Sequence, residues 1–180
     1  MIQQNYSIRN AIPEEYLNIG AFMADVYSKQ DGFPKKSEQP DYYDMLVNIG
    51  TLTAKPKTEL LVAVDFDEQI KGAVVYYGDM KYYGSGGSAT LELNTAGFRF
   101  LAVDPLTRRQ GIGQALVKEC IRKAGETKRT QMIIHSTLAM QAAWKIYDHL
   151  GFKRSEDLDF LQGELPVFGF RLLFQTDVQP

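Results

Sequence analysis

The residues with the clearest chemical potential lie in one stretch, Val103-Asp-Pro-Leu-Thr-Arg-Arg-Gln-Gly-Ile-Gly-Gln-Ala-Leu116. A strand-like run ends at Asp104-Pro105, because proline has no N–H to give to a central ladder. Two glycines one residue apart follow, and then a helical pattern begins. The first four N–H groups of a helix have no intrahelical partner, so they present donors and a partial positive charge to one point in space. Gly111 and Gly113 carry no Cβ, which lets a large anion approach the main chain. Arg108 and Arg109 add cationic charge beside them. The chemistry implied is the holding of a phosphate or pyrophosphate, with Arg109, Gln110, Gly111, Ile112 and Gly113 supplying main-chain groups.

Known phosphate signatures match only in part. A Walker loop needs GxxxxGK[ST], which is absent. A dinucleotide fingerprint needs GxGxxG with an acidic residue about 20 residues on, and Leu116 stands where its third glycine belongs. A tight structural turn with solvated arginines is therefore the competing reading of the same residues.

The elements that must position this turn follow from periodicity. Ile8 to Ala11 reads as a short strand. Pro13 to Ser28 and Asp41 to Gly50 read as helices, the second with Pro40 at its first turn. Glu59–Phe66 and Ile70–Tyr77, parted by Asp-Glu-Gln, predict an antiparallel hairpin. Gly78 to Thr95 reads as a loop and Phe98–Val103 as a strand. Gly111 to Ala124 is helical, Gln131–His135 a strand, and Leu138 to Leu150 a helix with Gly151 as the left-handed residue past its end. Phe168–Phe174 is the last strand. This order predicts an α/β (α+β) fold, a single mixed, mostly antiparallel twisted sheet flanked by helices, with residues 1–180 as one domain.

Composition removes several function classes. One cysteine and two histidines, His135 and His149, exclude a disulfide framework and argue against a metal centre. With 20 Lys plus Arg against 22 Asp plus Glu, the net charge of −2 offers no basic footprint for nucleic acid. The N-terminal stretch has no apolar signal core, and no run approaches the ~20 residues needed to span a bilayer. The expectation is a cytoplasmic protein with neither membrane nor nucleic-acid partner. An outer strand near the C-terminus leaves a homodimer open.

Three pieces together, FRFLAVDP at 98–105, RRQGIG at 108–113 and AWKIYDHLGF at 143–152, resemble the GCN5-related N-acetyltransferase (GNAT) family. Arg108, Gly111 and Gly113 meet its glycine-rich motif; Tyr147, Gly151 and Phe152 meet its second, an aromatic residue shortly before Gly-Phe. The resemblance implies an acyl-CoA N-acyltransferase-like fold with acetyl-CoA as cofactor. It implies that the pyrophosphate lies on Arg109 to Gly113 beside Arg108, and the pantetheine arm along Leu101, Ala102 and Val103, where strand Gln131–His135 splays away from strand Phe98–Val103. It also implies acetyl transfer to a primary amine of a small molecule or peptide, with an amide near Leu101 facing the developing negative charge. Tyr147 would protonate the leaving thiolate, unless it merely packs on the Met140–Ala143–Trp144 stripe.

The general base departs from the family pattern. Many members carry a glutamate two residues before the arginine of this strand, where this chain has Gly97. Glu92 is the nearest acidic candidate and Asp79 the next; deprotonation through water is the third possibility. His135 either faces the acceptor or is satisfied by a carbonyl. Thr137 is a candidate cap for the helix of Tyr147, and Cys120 reads as an inert core thiol. Phe33 and the tyrosine pairs Tyr76-Tyr77 and Tyr82-Tyr83 are candidate walls of an acceptor cleft, suited to an apolar or cationic group. Two other readings stay open: an acyl-CoA sensor without turnover, and a nucleotide-binding protein using the same helix start.

Overall fold

The computed structural model describes residues 5–175. The strands are β1 (Tyr6–Asn10), β2 (Thr58–Asp65), β3 (Ile70–Tyr77), β4 (Thr95–Val103), β5 (Gln131–Ser136), β6 (Lys153–Arg154), β7 (Phe160–Gln162) and β8 (Leu165–Leu173). They form a sheet in the order β1-β2-β3-β4-β5-β8-β6, with β7 pairing β8. Only β4 and β5 run parallel; every other pair is antiparallel. Helices α1 (Tyr16–Ser28) and α2 (Pro40–Val47) pack on one face, α3 (Ile112–Glu126) and α4 (Gln141–His149) on the other. The mixed, mostly antiparallel sheet flanked by helices is thus the observed architecture.

Strand alternation divides the core in two. Along β2, Leu60, Val62 and Val64 point to the α1/α2 side while Leu61 and Ala63 point to the α3/α4 side, as a period of two requires. Both sets are buried, which explains why β2 and β3 read as continuous apolar runs rather than alternating ones. The β2–β3 turn forms because the Asp65 carboxylate accepts from the main-chain N–H groups of Asp67 and Gln69 at 3.0 and 2.9 Å, a local side-chain bond that favours turns.

Three features differ from the sequence expectation. β4 begins at Thr95 rather than Phe98, because Thr95, Ala96 and Gly97 pair with Gln131, Met132 and Ile133 of β5. Pairing overrides the weak strand propensity of Ala and Gly. The second helix stops at Val47 and continues from Ile49 to Ala54 as a 3₁₀ turn. β8 starts at Leu165 and closes a hairpin with β7 through Gly163, whose φ of 62° is the conformation that glycine adopts freely at the first position of a tight hairpin turn.

Candidate active site

Two irregularities in β4 build the site. Ladder pairing of β4 with β5 is limited to Thr95–Gly97, beyond which the strands part while β5 continues along β8 to Ser136. On its other edge β4 pairs through Val75↔Arg99 and then Ala73↔Ala102, so that Phe100 and Leu101 together stand opposite Val74. This is a β-bulge, and Phe100 takes a φ of 60°. A bulge breaks the alternation of faces, so the adjacent side chains of Arg99 and Phe100 line the same cavity. Leu101, Ala102 and Val103 run along the opened edge, and the Leu101 carbonyl accepts from Tyr27 Oη of α1 at 3.2 Å. The predicted splay between the two strands is therefore present, and it starts after Gly97.

At the far end of that edge the chain turns into α3. Asp104 shapes the turn: its carboxylate accepts from the Leu106 N–H at 2.9 Å and its carbonyl from the Thr107 N–H at 2.9 Å. Arg109 and Gly111 both have positive φ, 68° and 78°. The first helical bond runs from Ala115 N to Gly111 O at 2.9 Å. Among the described residues no acceptor meets the N–H groups of Arg109, Gly111, Ile112, Gly113 or Gln114. A Cβ on Gly113 would press on Ile146 at 3.3 Å and Val103 at 3.4 Å, whereas one on Gly111 would meet only Tyr6 Oη at 3.8 Å. Space remains over Gly111 on the protein's side. The side chains of Arg108, Arg109 and Gln110 are exposed, and these open donors suit a diphosphate.

A cavity of about 70 Å³ lies on the α1/α2 side of the opened strands. Tyr27, Phe33, Tyr42, Phe100 and Phe160 form aromatic walls, and Arg99, His135, Ser136, Thr137 and Gln162 supply polar groups. His135 is held at both ring nitrogens. Nε2 lies 3.0 Å from the Leu158 carbonyl, which can only accept, so Nε2 carries the hydrogen. In the neutral ring Nδ1 then accepts from Tyr83 Oη at 3.1 Å. Burial pulls the imidazole down to about 4, outweighing the carbonyl's opposite effect. It is neutral near pH 7, with both nitrogens engaged.

Tyr147 lies on the α3/α4 side, buried against Phe98, Phe152 and Phe170 with ring centroids 5.8, 5.9 and 6.0 Å away. The structure gives its motif a conformational basis. Gly151, at φ 94°, ends α4 as predicted. The Gly151 N–H reaches the Asp148 carbonyl at 3.0 Å and the Phe152 N–H reaches the Tyr147 carbonyl at 2.9 Å. These two bonds form a Schellman cap, and the Tyr147–Phe152 ring contact is its usual apolar partner. Burial pushes the phenol well above its ordinary value, and its hydroxyl bonds to no other described residue.

Several sequence candidates are placed elsewhere. Glu92 is bound by Arg171 Nη2 at 2.7 Å and Gln131 Nε2 at 3.1 Å. Gln131 opens β5, four residues and roughly 13 Å of strand from His135, so Glu92 is not brought to the cavity. Asp79 caps the next turn through the Lys81 N–H at 3.0 Å and faces Lys57. The Thr137 side chain makes no capping bond; its hydroxyl and that of Ser136 are buried without partners among the described residues. Cys120 is fully buried and its thiol is pushed up by desolvation, as an inert thiol should be. Of the proposed aromatic walls, Phe33 is in place and Tyr83 stands behind His135, while Tyr76 points to the opposite core. Gly97 leaves no room for the expected glutamate: a Cβ there would lie 2.6 Å from the Ile133 carbonyl and 2.8 Å from the Tyr83 ring.

Arg99 was missed. A lone cation in the apolar strand Phe98–Val103 was the available signal. Its Nη1 donates to the Tyr83 and Gly84 carbonyls at 2.9 and 3.0 Å, and its guanidinium lies 4.5 Å from the Phe100 ring centroid. Among the described residues, no helix is long and apolar enough to cross a membrane.

Comparison with known proteins agrees with this layout. The sequence profile of the Acetyltransferase (GNAT) domain matches residues 56–154, more than half of the chain. An N-alpha-acetyltransferase 30 from Xenopus laevis is 38% identical over 58 residues, which are 32% of this chain and 21% of that protein. The chain thus matches only about a fifth of that relative's length. A GNAT-family acetyltransferase from Staphylococcus aureus Mu50 superposes with a TM-score of 0.69 at 15% identity, covering 94% of this chain and 99% of the other. A GCN5-related N-acetyltransferase from Kribbella flavida gives 0.67 at 19% identity, covering 94% and 98%. At these identities the superpositions speak for the fold, while the profile match speaks for descent: the chain belongs to the GCN5-related N-acetyltransferase family.

Proposed function

We propose that the chain, acting as one domain over residues 1–180, transfers an acetyl group from acetyl-CoA to a primary amine of a small molecule or peptide. The observation that carries this reading is the alignment of unpartnered α3 amides with the opened edge of β4. Arg109 to Gly113 and the Arg108 side chain would hold the diphosphate, and the edge Leu101–Val103 the pantetheine amides, whose hydrogen bonds replace those lost where the ladder splits. When bound, acetyl-CoA supplies an acetyl thioester whose C–S bond breaks as the amide C–N bond forms.

The remaining work falls to this chain's own groups. The bulge amide near Leu101 offers a fixed donor to the negative charge on the carbonyl oxygen. Tyr147 Oη keeps its proton at neutral pH because burial opposes its ionisation, and it holds that proton for the departing sulfur. Among the described residues no Asp or Glu lines the cavity, and both ring nitrogens of His135 are engaged. The amine therefore loses its proton to water, the route that needs neither Glu92 nor a side chain at Gly97.

The same lack of a carboxylate favours a second reading, an acyl-CoA sensor. Thiol release measured over a panel of primary amines, beside calorimetric titration with acetyl-CoA, separates the two. Turnover with any amine supports the transferase, binding without turnover supports the sensor, and failure to bind removes both.

A further inference from the structure

Among the described residues that line the cavity, Arg99 alone carries a full charge. The other titratable lining groups are the phenols of Tyr27 and Tyr42, both pushed upward by burial, and the neutral His135. Four arginines elsewhere have carboxylate partners, Arg9 with Glu15, Arg122 with Glu119, Arg154 with Asp159 and Arg171 with Asp157 and Glu92, while Arg108 and Arg109 are exposed and Arg129 reaches only Asn94. Arg99 has no carboxylate partner among the described residues. Its Nη1 is spent on the two carbonyls, which fixes the plane of the guanidinium. The Nε–Nη2 edge meets no protein acceptor among those residues. A planar fork with one edge anchored and the other open is the geometry that takes a carboxylate through two parallel bonds. The cation facing the aromatic walls is then the protein's own, set over Phe100 and Tyr83 at 4.5 and 5.5 Å, which disfavours a second cation there.

Two further observations point to a polar guest. Ser136 Oγ and Thr137 Oγ1 line the same cavity, are buried, and lack partners among the described residues. Buried hydroxyls are normally bonded, and leaving them bare is costly. Arg99 also stands only two residues from Leu101, at most roughly 7 Å of chain. An anion held by Arg99 would thus lie within a few bonds of a nitrogen attacking beside Leu101.

We propose that Arg99 receives a carboxylate of the acceptor, so that the substrates are small primary amines with a carboxylate a few bonds from the nitrogen, as in an amino acid. This deepens the acetyltransferase reading and rests on it. The experiment titrates CoA-saturated protein with N-acetyl derivatives of glycine, alanine, methionine and phenylalanine, each beside its carboxamide, using wild type, Arg99→Gln and Arg99→Lys. Expected is at least tenfold tighter binding of one or more carboxylates over the matched amide in wild type. Arg99→Gln should lose that preference, Arg99→Lys should keep part of it because charge survives without the fork, and both should bind CoA within twofold of wild type. Equal affinity for acid and amide, no binding of either, or a preference that survives Arg99→Gln overturns the proposal. The wild-type acid–amide comparison decides the matter even where a variant fails to fold. Thiol release from the parent amines, run in parallel, keeps the two readings apart. Turnover with no acid preference defeats only Arg99's role, whereas acid preference without turnover of any amine defeats only the transferase.

Discussion

The two sides of the opened β4 edge are built by opposite means. On the α3/α4 side the site is made of main chain: the amides of Arg109 and of Gly111 to Gln114 meet no acceptor among the described residues, while that of Gln110 is spent on the Thr107 carbonyl, and the positive φ of Arg109 and Gly111 shapes the turn. On the α1/α2 side it is made of side chains, aromatic walls around a single anchored guanidinium and two bare hydroxyls. Backbone donors suit the diphosphate proposed for them, whatever the acceptor. Side-chain walls can change without disturbing the sheet, so acceptor choice can vary while the cofactor cradle stays fixed. The two sides meet at β4, where the ladder with β5 ends after Gly97 and the Phe100–Leu101 bulge brings Phe100 onto the face that Arg99 already shares with Gly97.

The sharpest way to break this division is Tyr147→Phe. Tyr147 belongs to the cofactor side and keeps its fold through the Schellman cap, a main-chain feature that phenylalanine retains. On the acid role proposed for Tyr147, kcat should fall by about 10²-fold or more, while the Kd for acetyl-CoA stays within twofold. Unchanged kcat would return Tyr147 to a packing role.

Gly97→Ala tests whether the missing glutamate is a lost function or an occupied volume. A Cβ there would lie 3.0 Å or less from Ile133 O, the Tyr83 ring and Met80 Sδ. Overpacking of this kind should cost about 1–3 kcal/mol in urea unfolding, with kcat impaired through the displaced Tyr83–His135 pair. A neutral result would mean that Gly97 has room to spare and that a carboxylate there was simply lost.

How far each side was legible follows from how it is encoded. The cradle and the Tyr147 cap come from one nearly continuous segment, residues 98–152, where Gly-x-Gly and Tyr…Gly-Phe are local signals with local causes, a left-handed residue and a helix terminus. The order of the longer elements is readable for the same reason, since apolar periodicity is local; the short strands β6 and β7 are not, because two or three residues carry no period and their pairing with β8 alone makes them strands. The cavity is assembled from α1, the loop at Phe33, α2, β4, β5, β7 and β8, and no sequence window contains it. Arg99 is visible in the sequence only as an oddity, because the walls around it come from distant elements and the bulge that brings Phe100 onto its face depends on register with β3. Glu92 is near the site in sequence alone. Across a sheet that measure fails: Arg171, 79 positions away, is its partner.

His135 sharpens the comparison from the acceptor side through pH. Its value in the folded protein, about 4, lies below the ordinary 6.5 because burial disfavours the charged ring. The unfolded chain therefore binds the proton first. The stabilisation is complete above pH 6.5 and is lost as pH falls from there toward 4. Between pH 7.5 and 5 this amounts to about 2 kcal/mol, given that a pKa unit is worth ~1.4 kcal/mol. Carboxylates held low by partners, such as Asp159 beside Arg154 and Glu15 beside Arg9, add their losses at lower pH, around and below the ordinary carboxylate range. Urea titrations at pH 7.5 and 5 should show the loss in wild type and a flat response in His135→Gln. An equal slope in both would show that the ring is solvated and that the Tyr83–His135–Leu158 chain does not persist in solution.

The smallest expected effect separates two properties of the cradle that glycine supplies together. At Gly111 the protein itself leaves space, with only Tyr6 Oη within 4 Å of an added Cβ, but the φ of 78° strains a branched residue. Gly111→Val should weaken CoA binding about tenfold and lower stability by about 1–2 kcal/mol. Gly111→Asn should keep most of the stability, since asparagine tolerates the left-handed region, while still placing a Cβ where the diphosphate approaches. If Asn binds CoA as the wild type does and Val does not, backbone shape alone makes the cradle. If both bind weakly, close approach to the main chain matters as well. If neither loses affinity, the diphosphate lies elsewhere, and the contrast between a main-chain side and a side-chain side no longer describes this site.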